Sequence, residues 1–219
     1  MSDEQWAAVD RYITDLIVQP DAALNAALEA SIAAGLPEIS VTPGQGKLLY
    51  LLARLRHASR ILEIGTLGGY STIWLARGLT SSGRLVTVES DASHAAVART
   101  NVARAGLASI VDLRVGRALD VLPKLAAEGQ KFDLTFIDAD KPNIPAYFEW
   151  AMKLSNPASL IIVDNVVRDG AVIDGASADP SVQGVRRFNQ MLAANKTVSA
   201  TTIQTVGAKG YDGFTIVLT

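Results

Sequence analysis

The chain has 219 residues, 49% apolar and 19% charged, with a formal net charge of −2; this excludes a largely disordered protein and any global basic field for nucleic acid. It contains no cysteine, which excludes disulfide frameworks and thiolate metal sites. No apolar run approaches the about 18 residues that a membrane span needs, and the N-terminal stretch Ser2-Asp3-Glu4-Gln5-Trp6 is acidic and polar where a secretory signal is basic and then apolar. A cytoplasmic protein without a membrane partner is therefore expected, with residues 1–219 forming one α/β domain.

Residues 4–35 read as helical, with an apolar stripe that includes Val9, Ile13, Leu16, Ile17, Leu24 and Leu28. Gln19-Pro20-Asp21 is a break, and Asp21 is a candidate N-cap. Val41-Thr42-Pro43-Gly44-Gln45-Gly46 reads as a turn into a helix from Lys47 to Arg56. These N-terminal helices, residues 1–58, are expected to pack on the core, to cover a site or to supply a dimer contact.

From residue 59 onward strands and helices alternate. The predicted strands are Ile61–Ile64, Leu85–Val88, Ile110–Val115, Phe132–Asp138 and Leu160–Asp164, with helices near 71–79, 92–105, 118–127 and 144–154 between and after them. Apolar strands linked by helices imply right-handed crossovers and a parallel sheet covered on both faces. The end differs: a helix near 182–194 is followed by Val198–Val206, a turn and Phe214–Leu218, which predicts an antiparallel pair at one edge.

In such sheets ligands collect at the carboxyl ends of the strands. Four of those ends carry acids: Glu63, Glu89, Asp138 and Asp164. The first strand enters Gly65-Thr66-Leu67-Gly68-Gly69-Tyr70-Ser71 and then a helix, an order that lets backbone approach a ligand and aims free helix N–H groups at it. Glu63 lies inside a strand that should be buried, so it requires a protein partner or a cationic ligand. Glu89 ends the next strand at the spacing of a ribose-binding carboxylate. Asp138, Asp164 and Asn165 would form an oxygen donor set suited to a hard cation such as Mg²⁺, or else simply cap loops and a helix. Lys141, three residues past Asp138, either faces the same cavity as a base or is a solvated surface lysine. His57 and His94 read as surface residues, and Trp74 and Trp150 as core or rim.

Taken together, Leu62-Glu63-Ile64-Gly65-Thr66 with Gly69-Tyr70-Ser71, Ile137-Asp138-Ala139-Asp140-Lys141, Val163-Asp164-Asn165-Val166 and Tyr211-Asp212-Gly213-Phe214-Thr215 resemble the cation-dependent O-methyltransferases related to the caffeoyl-CoA and catechol enzymes. The resemblance runs from about Val41 to the C-terminus. It implies a doubly wound, Rossmann-like seven-stranded sheet, mostly parallel with the last strand antiparallel. It also implies S-adenosylmethionine as cofactor, a divalent cation, a homodimer and a small phenolic acceptor. By position, Glu63, Gly65, Thr66 and Ser71 would hold the methionine portion, Glu89 the ribose, and Val41 and Ala118 the cofactor pocket and adenine. Asp138, Asp164 and Asn165 match the metal ligands, Asp138 also lies near the cofactor, and Lys141 falls where the catechol-type enzymes have their base.

The chain departs from the plant members at Val166-Val167-Arg168-Asp169, where an aromatic ring often covers the substrate; Arg168 could instead favour an acidic acceptor. Asn156-Pro157-Ala158-Ser159 replaces the usual Pro-Gly-Gly turn, and Ile144 a frequent tyrosine. The expected reaction is methylation of a vicinal dihydroxy aromatic. The alternatives are a hydroxylated tRNA nucleoside as acceptor, against which the acidic balance argues, and a cofactor-binding protein without catalysis. The spacing of Gly65, Gly68 and Gly69 does not match the G-x-G-x-x-G of a nicotinamide dehydrogenase.

Overall fold

The structure is a computed structural model that describes residues 2–219. A helix α1 (Asp3–Ile13) runs into a π-helical turn, Thr14–Val18, and stops at Gln19, which takes a left-handed conformation with φ 48°. Helix α2 (Ala22–Ala33) starts at Asp21, whose carboxylate accepts the Leu24 amide at 3.1 Å as an N-cap. Helix α3 (Pro43–Leu55) begins four residues before the predicted Lys47. Thr42 caps it through the Gln45 amide, and Pro43 occupies the first helical position, where its missing N–H costs nothing.

The rest is strand and helix in turn: β1 (Arg60–Ile64), α4 (Tyr70–Gly78), β2 (Arg84–Glu89), α5 (Ala92–Arg104), β3 (Val111–Val115), α6 (Ala118–Ala127), β4 (Phe132–Ile137), α7 (Ile144–Leu154), β5 (Ser155–Asp164), α8 (Pro180–Ala194), β6 (Ser199–Gly207) and β7 (Gly210–Leu218). The seven strands form one sheet in the order β3-β2-β1-β4-β5-β7-β6. The first five are parallel, and β7 lies antiparallel to both β5 and β6. The expected mostly parallel sheet with an antiparallel last strand is thus the observed one.

Strands β1 and β2 start one residue earlier than predicted, and two others start four or five residues earlier. Strand β5 begins at Ser155, and its pairing with β4 shifts register between Phe132 and Leu134; the Pro157–Ala158 irregularity lies within it, with Ala158 at φ 58°. Strand β7 begins at Gly210, because Tyr211-Asp212-Gly213 continues the ladder with β6 where a turn is the expected reading.

Alternate side chains of the central strands point to opposite faces. Ile61 packs with Leu49, Ile73, Leu75 and Phe136 under α3 and α4. Leu62 and Ile64 pack with Leu122, Phe148 and Phe188 under α6, α7 and α8. Trp74 is buried in the first cluster, and Trp150 packs against the second. Strand order reverses between β1 and β4, which opens a crevice at their carboxyl ends. Among the described residues, no helix is long and apolar enough to cross a membrane.

Candidate active site

The crevice is held narrow by main chain. Past β1, Gly65 donates to the Val88 carbonyl at 3.0 Å, and Asp138 donates to the Ile64 carbonyl at 2.9 Å. Gly65 has φ +102°, and a Cβ there would stand 2.0 Å from the Asp138 carbonyl oxygen, so glycine is the residue that lets these strand ends meet. Above them opens a cavity of about 790 Å³.

One end of the cavity is organised by Glu89. Its Oε2 accepts the backbone N–H groups of Thr66 at 3.3 Å and Leu67 at 2.8 Å, and its Oε1 accepts that of Asp91 at 2.9 Å. Oε1 also accepts the Ser90 hydroxyl at 3.4 Å, a long bond that leaves that oxygen room for a ligand hydroxyl. His94 belongs to this wall, with Nδ1 at 4.0 Å from Oε1, rather than to the open surface. Helix α4 begins beside it at Gly69 with no side-chain cap, so its first N–H groups are free for an anionic ligand.

Glu63 lies behind this wall rather than on it. It is fully buried on the same face as Ile61 and accepts hydroxyls from Ser71 at 2.6 Å, Thr87 at 2.7 Å and Thr72. Thr87 is its register partner on β2. Because Thr87 donates to Glu63, the 2.5 Å contact between the Thr66 and Thr87 hydroxyls has Thr66 as donor. Burial pushes Glu63 up to about 7 against the pull of these hydroxyls, and the charge of Asp138 adds to the rise. Ser71 reaches both Glu63 and the cavity.

The other end holds the acids of β4 and β5. Lys141 Nζ donates to Asp138 Oδ1 at 2.9 Å, from a short 3₁₀ turn, Lys141–Asn143. Asp164 is buried; its Oδ2 accepts the Gln45 amide at 2.6 Å and its Oδ1 the Asn165 backbone N–H at 2.8 Å. Burial, and after it the charge of Asp138, push Asp164 up to about 7. Asn165 lines the cavity from a left-handed conformation with φ 57°. Among the described residues no three His, Cys, Asp or Glu side chains gather to hold a metal, so a cation here would rely on two carboxylates and an amide oxygen. That donor set fits a hard cation: every atom is oxygen, and of the two neighbouring acids only Asp138 bonds an ammonium, that of Lys141.

The cavity wall therefore includes Val41, Gly65, Thr66, Ser71, Glu89, Ala118, Asp138, Lys141 and Asn165 among the residues singled out from sequence. Glu63 and Asp164 stand one layer back, bonded to Ser71 and Gln45. Sequence reasoning missed Gln45, which it read as turn, and the pair formed by the Tyr147 hydroxyl and Asp140 on the same wall. Thr87 and Thr72 were also missed. A lone threonine inside the apolar run Leu85-Val86-Thr87-Val88, beside a strand that carries a buried acid, was the available signal.

The model of a family described as O-methyltransferase matches residues 18–218. A catechol O-methyltransferase of Niastella koreensis is 54% identical over 219 residues, covering 100% of this chain and 99% of that protein. A catechol O-methyltransferase of Mycobacterium tuberculosis is 52% identical, covering 96% and 94%. The crystal structure of an O-methyltransferase from Bacillus cereus in complex with S-adenosylhomocysteine superposes with a TM-score of 0.98 at 55% identity, covering 99% of both chains. That of the Streptomyces achromogenes O-methyltransferase TomG, involved in tomaymycin synthesis and in complex with S-adenosylmethionine, superposes with a TM-score of 0.96 at 56% identity, covering 100% and 98%. With its fold, its strand-end acids and a family match over nearly its whole length, this chain belongs to the O-methyltransferase family.

Proposed function

We propose that the protein transfers the methyl group of S-adenosylmethionine to one hydroxyl of an aromatic vicinal diol of the catechol or caffeoyl type, assisted by Mg²⁺ or another divalent cation. The observation that carries this reading is the pair of neighbouring acids Asp138 and Asp164, only the first of which bonds Lys141, beside Asn165 at the end of the cavity opposite Glu89. The relatives named catechol O-methyltransferase and the structures holding S-adenosylmethionine or its demethylated product support it.

When bound, the cofactor supplies an electrophilic methyl on a sulfonium, and the cation acidifies and orients a chelating hydroxyl. Glu89 Oε1 receives the ribose hydroxyls. The free N–H groups at the start of α4 receive the methionine carboxylate, while Ser71, backed by Glu63, faces its ammonium. Val41 and Ala118 flank the cofactor, and Gly65 and Thr66 keep backbone close beneath it. Asp138, Asp164 and Asn165 would be the cation ligands; Lys141, held as an ammonium on Asp138, would release a proton to solvent as the cation's charge arrives, and its neutral Nζ would then accept the acceptor's proton. Holding the nucleophilic oxygen and the methyl carbon at attack distance provides much of the acceleration. The exposed apolar side chains of Tyr12, Leu16 and Ile17 support a homodimer contact through the N-terminal segment.

Incubation with S-adenosylmethionine and catechol, with S-adenosylhomocysteine as readout, tests this directly. Mg²⁺ should support turnover, and either a chelator or Asp138→Asn should reduce it by about 100-fold or more. Undiminished turnover under both treatments would overturn the metal assignment.

A further inference from the structure

The loop after β5 carries a guanidinium that the proposed chemistry does not use. Arg168 lies three residues past Asn165 and lines the same cavity as Asp138, Lys141 and Asn165. Its backbone is left-handed, φ 58°, as is that of Asp169, φ 53°, a conformation that non-glycine residues seldom adopt. Asp212 holds it there: its Oδ1 accepts the backbone N–H groups of Val167 at 2.9 Å, Arg168 at 3.0 Å and Gly213 at 2.9 Å. Asp169 adds a bond to the Tyr211 carbonyl at 3.2 Å. The loop thus aims Arg168 from a fixed base.

The side chain itself is poorly matched. Nε is buried with no hydrogen-bond partner. The charge has one carboxylate within reach, Asp212 Oδ2, at 3.9 Å from Nη1, a separation too long for a hydrogen bond. Of the other cations on the wall, Lys141 is engaged by Asp138, and the charge of Arg117 acts on Tyr147, whose hydroxyl bonds Asp140. The rest of the wall carries Glu89, Asp138 and Asp140, so an anionic substituent is best placed beside a cation whose donors are still free. A planar fork with free donors matches a carboxylate in bidentate geometry.

We propose that Arg168 is a specificity-determining residue whose guanidinium receives a carboxylate of the acceptor, making the favoured substrate an aromatic vicinal diol that bears an acid group. This presupposes the methyl transfer proposed above and narrows its substrate class. The diol faces Asp138, Lys141 and Asn165, and the acid faces Arg168.

Protocatechuate, its neutral primary amide and catechol itself form the test set. The wild-type protein should prefer the acid over the amide by about 10- to 100-fold in kcat/KM, mainly through KM, as a charge-assisted hydrogen-bonded pair implies. Arg168→Gln should collapse that ratio toward unity, and Arg168→Lys should restore part of it. A wild-type ratio of one or below, or a ratio that survives Arg168→Gln, overturns the role of Arg168. Calorimetric titration of the acid and the amide reads the same ratio without turnover. Absence of methyl transfer to every diol overturns the parent reaction, whereas a flat binding ratio overturns the assignment of Arg168, so the two failures separate.

Discussion

Glu63 links the stability of the protein to pH through a single buried group. Its carboxyl moves from 4.5 to about 7 on folding, chiefly because burial removes it from water. The unfolded chain releases this proton near 4.5, while the folded chain keeps it until about 7. Between those values the unfolded state binds fewer protons, so stability is fully present below the lower value and falls as pH rises through the upper one. At about 1.4 kcal/mol per pH unit, the loss reaches about 3 kcal/mol above pH 7, of which about 2–3 kcal/mol falls between pH 5 and pH 8. Glu63→Gln removes the titration and keeps the shape, and the surrounding hydroxyls can rotate to meet an amide because each both donates and accepts. Asp164 titrates in the same window but is present in both proteins, so it cancels in the comparison. Urea unfolding followed by circular dichroism at pH 5 and pH 8 gives the double difference. The wild type should lose about 2–3 kcal/mol more than the variant between the two pH values. Equal losses in both proteins would refute the assignment of a raised, folding-linked titration to Glu63.

Two glycines test how the chemistry is positioned. Gly65→Ala places a Cβ 2.0 Å from the Asp138 carbonyl in a positive-φ conformation; it should cost about 3 kcal/mol of stability and weaken cofactor binding, read by thermal melting and calorimetry, and unchanged values would show that the strand ends can part freely. Gly184→Ala on α8 places a Cβ 2.2 Å from the Lys141 carbonyl. Overpacking of about 1–3 kcal/mol should outweigh the up to about 1 kcal/mol that alanine gains in a helix, with kcat falling as the Lys141 turn shifts; a more stable variant of unchanged kcat would refute that rigid contact.

The alternation of apolar strands with helices identified the sheet, its parallel core and its antiparallel end, because burial on both faces forces continuous apolar runs. The strand-end acids were equally visible, since a carboxylate at the end of such a run is conspicuous. What could not be read was depth. Glu63 and Asp164 look no different in sequence from Glu89 and Asp138, yet two of them sit behind the wall and two on it. That distinction depends on which neighbours cover them: Ser71, Thr72 and Thr87 around Glu63, and Gln45 at Asp164. Gln45 lies 119 positions from its partner, and no local pattern signals such a contact. The start of α3 was missed for a related reason: Pro-Gly reads as turn, whereas Thr42 and Pro43 together make a capped helix entry.

The two ends of the cavity are held by different means. At the Glu89 end, β1, β2 and β4 are laced through main chain, with Gly65 to Val88 and Asp138 to Ile64, and the Glu89 carboxylate ties down Thr66 and Leu67. At the other end the walls are loops pinned by side chains. Asp212 holds the turn at Val167–Arg168, and Tyr147 bonds Asp140. Lys209, whose charged form burial disfavours, holds the Glu38 and Ser40 carbonyls, while Asp10 accepts the Ala208 amide at 2.8 Å. Main-chain ladders leave little freedom for side-chain change to alter their geometry, whereas a loop pinned by one carboxylate or ammonium moves when that residue changes. Substitutions at Asp212, Lys209 or Arg168 should therefore alter the loops without disturbing the strand ends beneath the proposed cofactor site, so the proposed reaction would have its acceptor choice on the loops and its methyl-donor binding on the sheet.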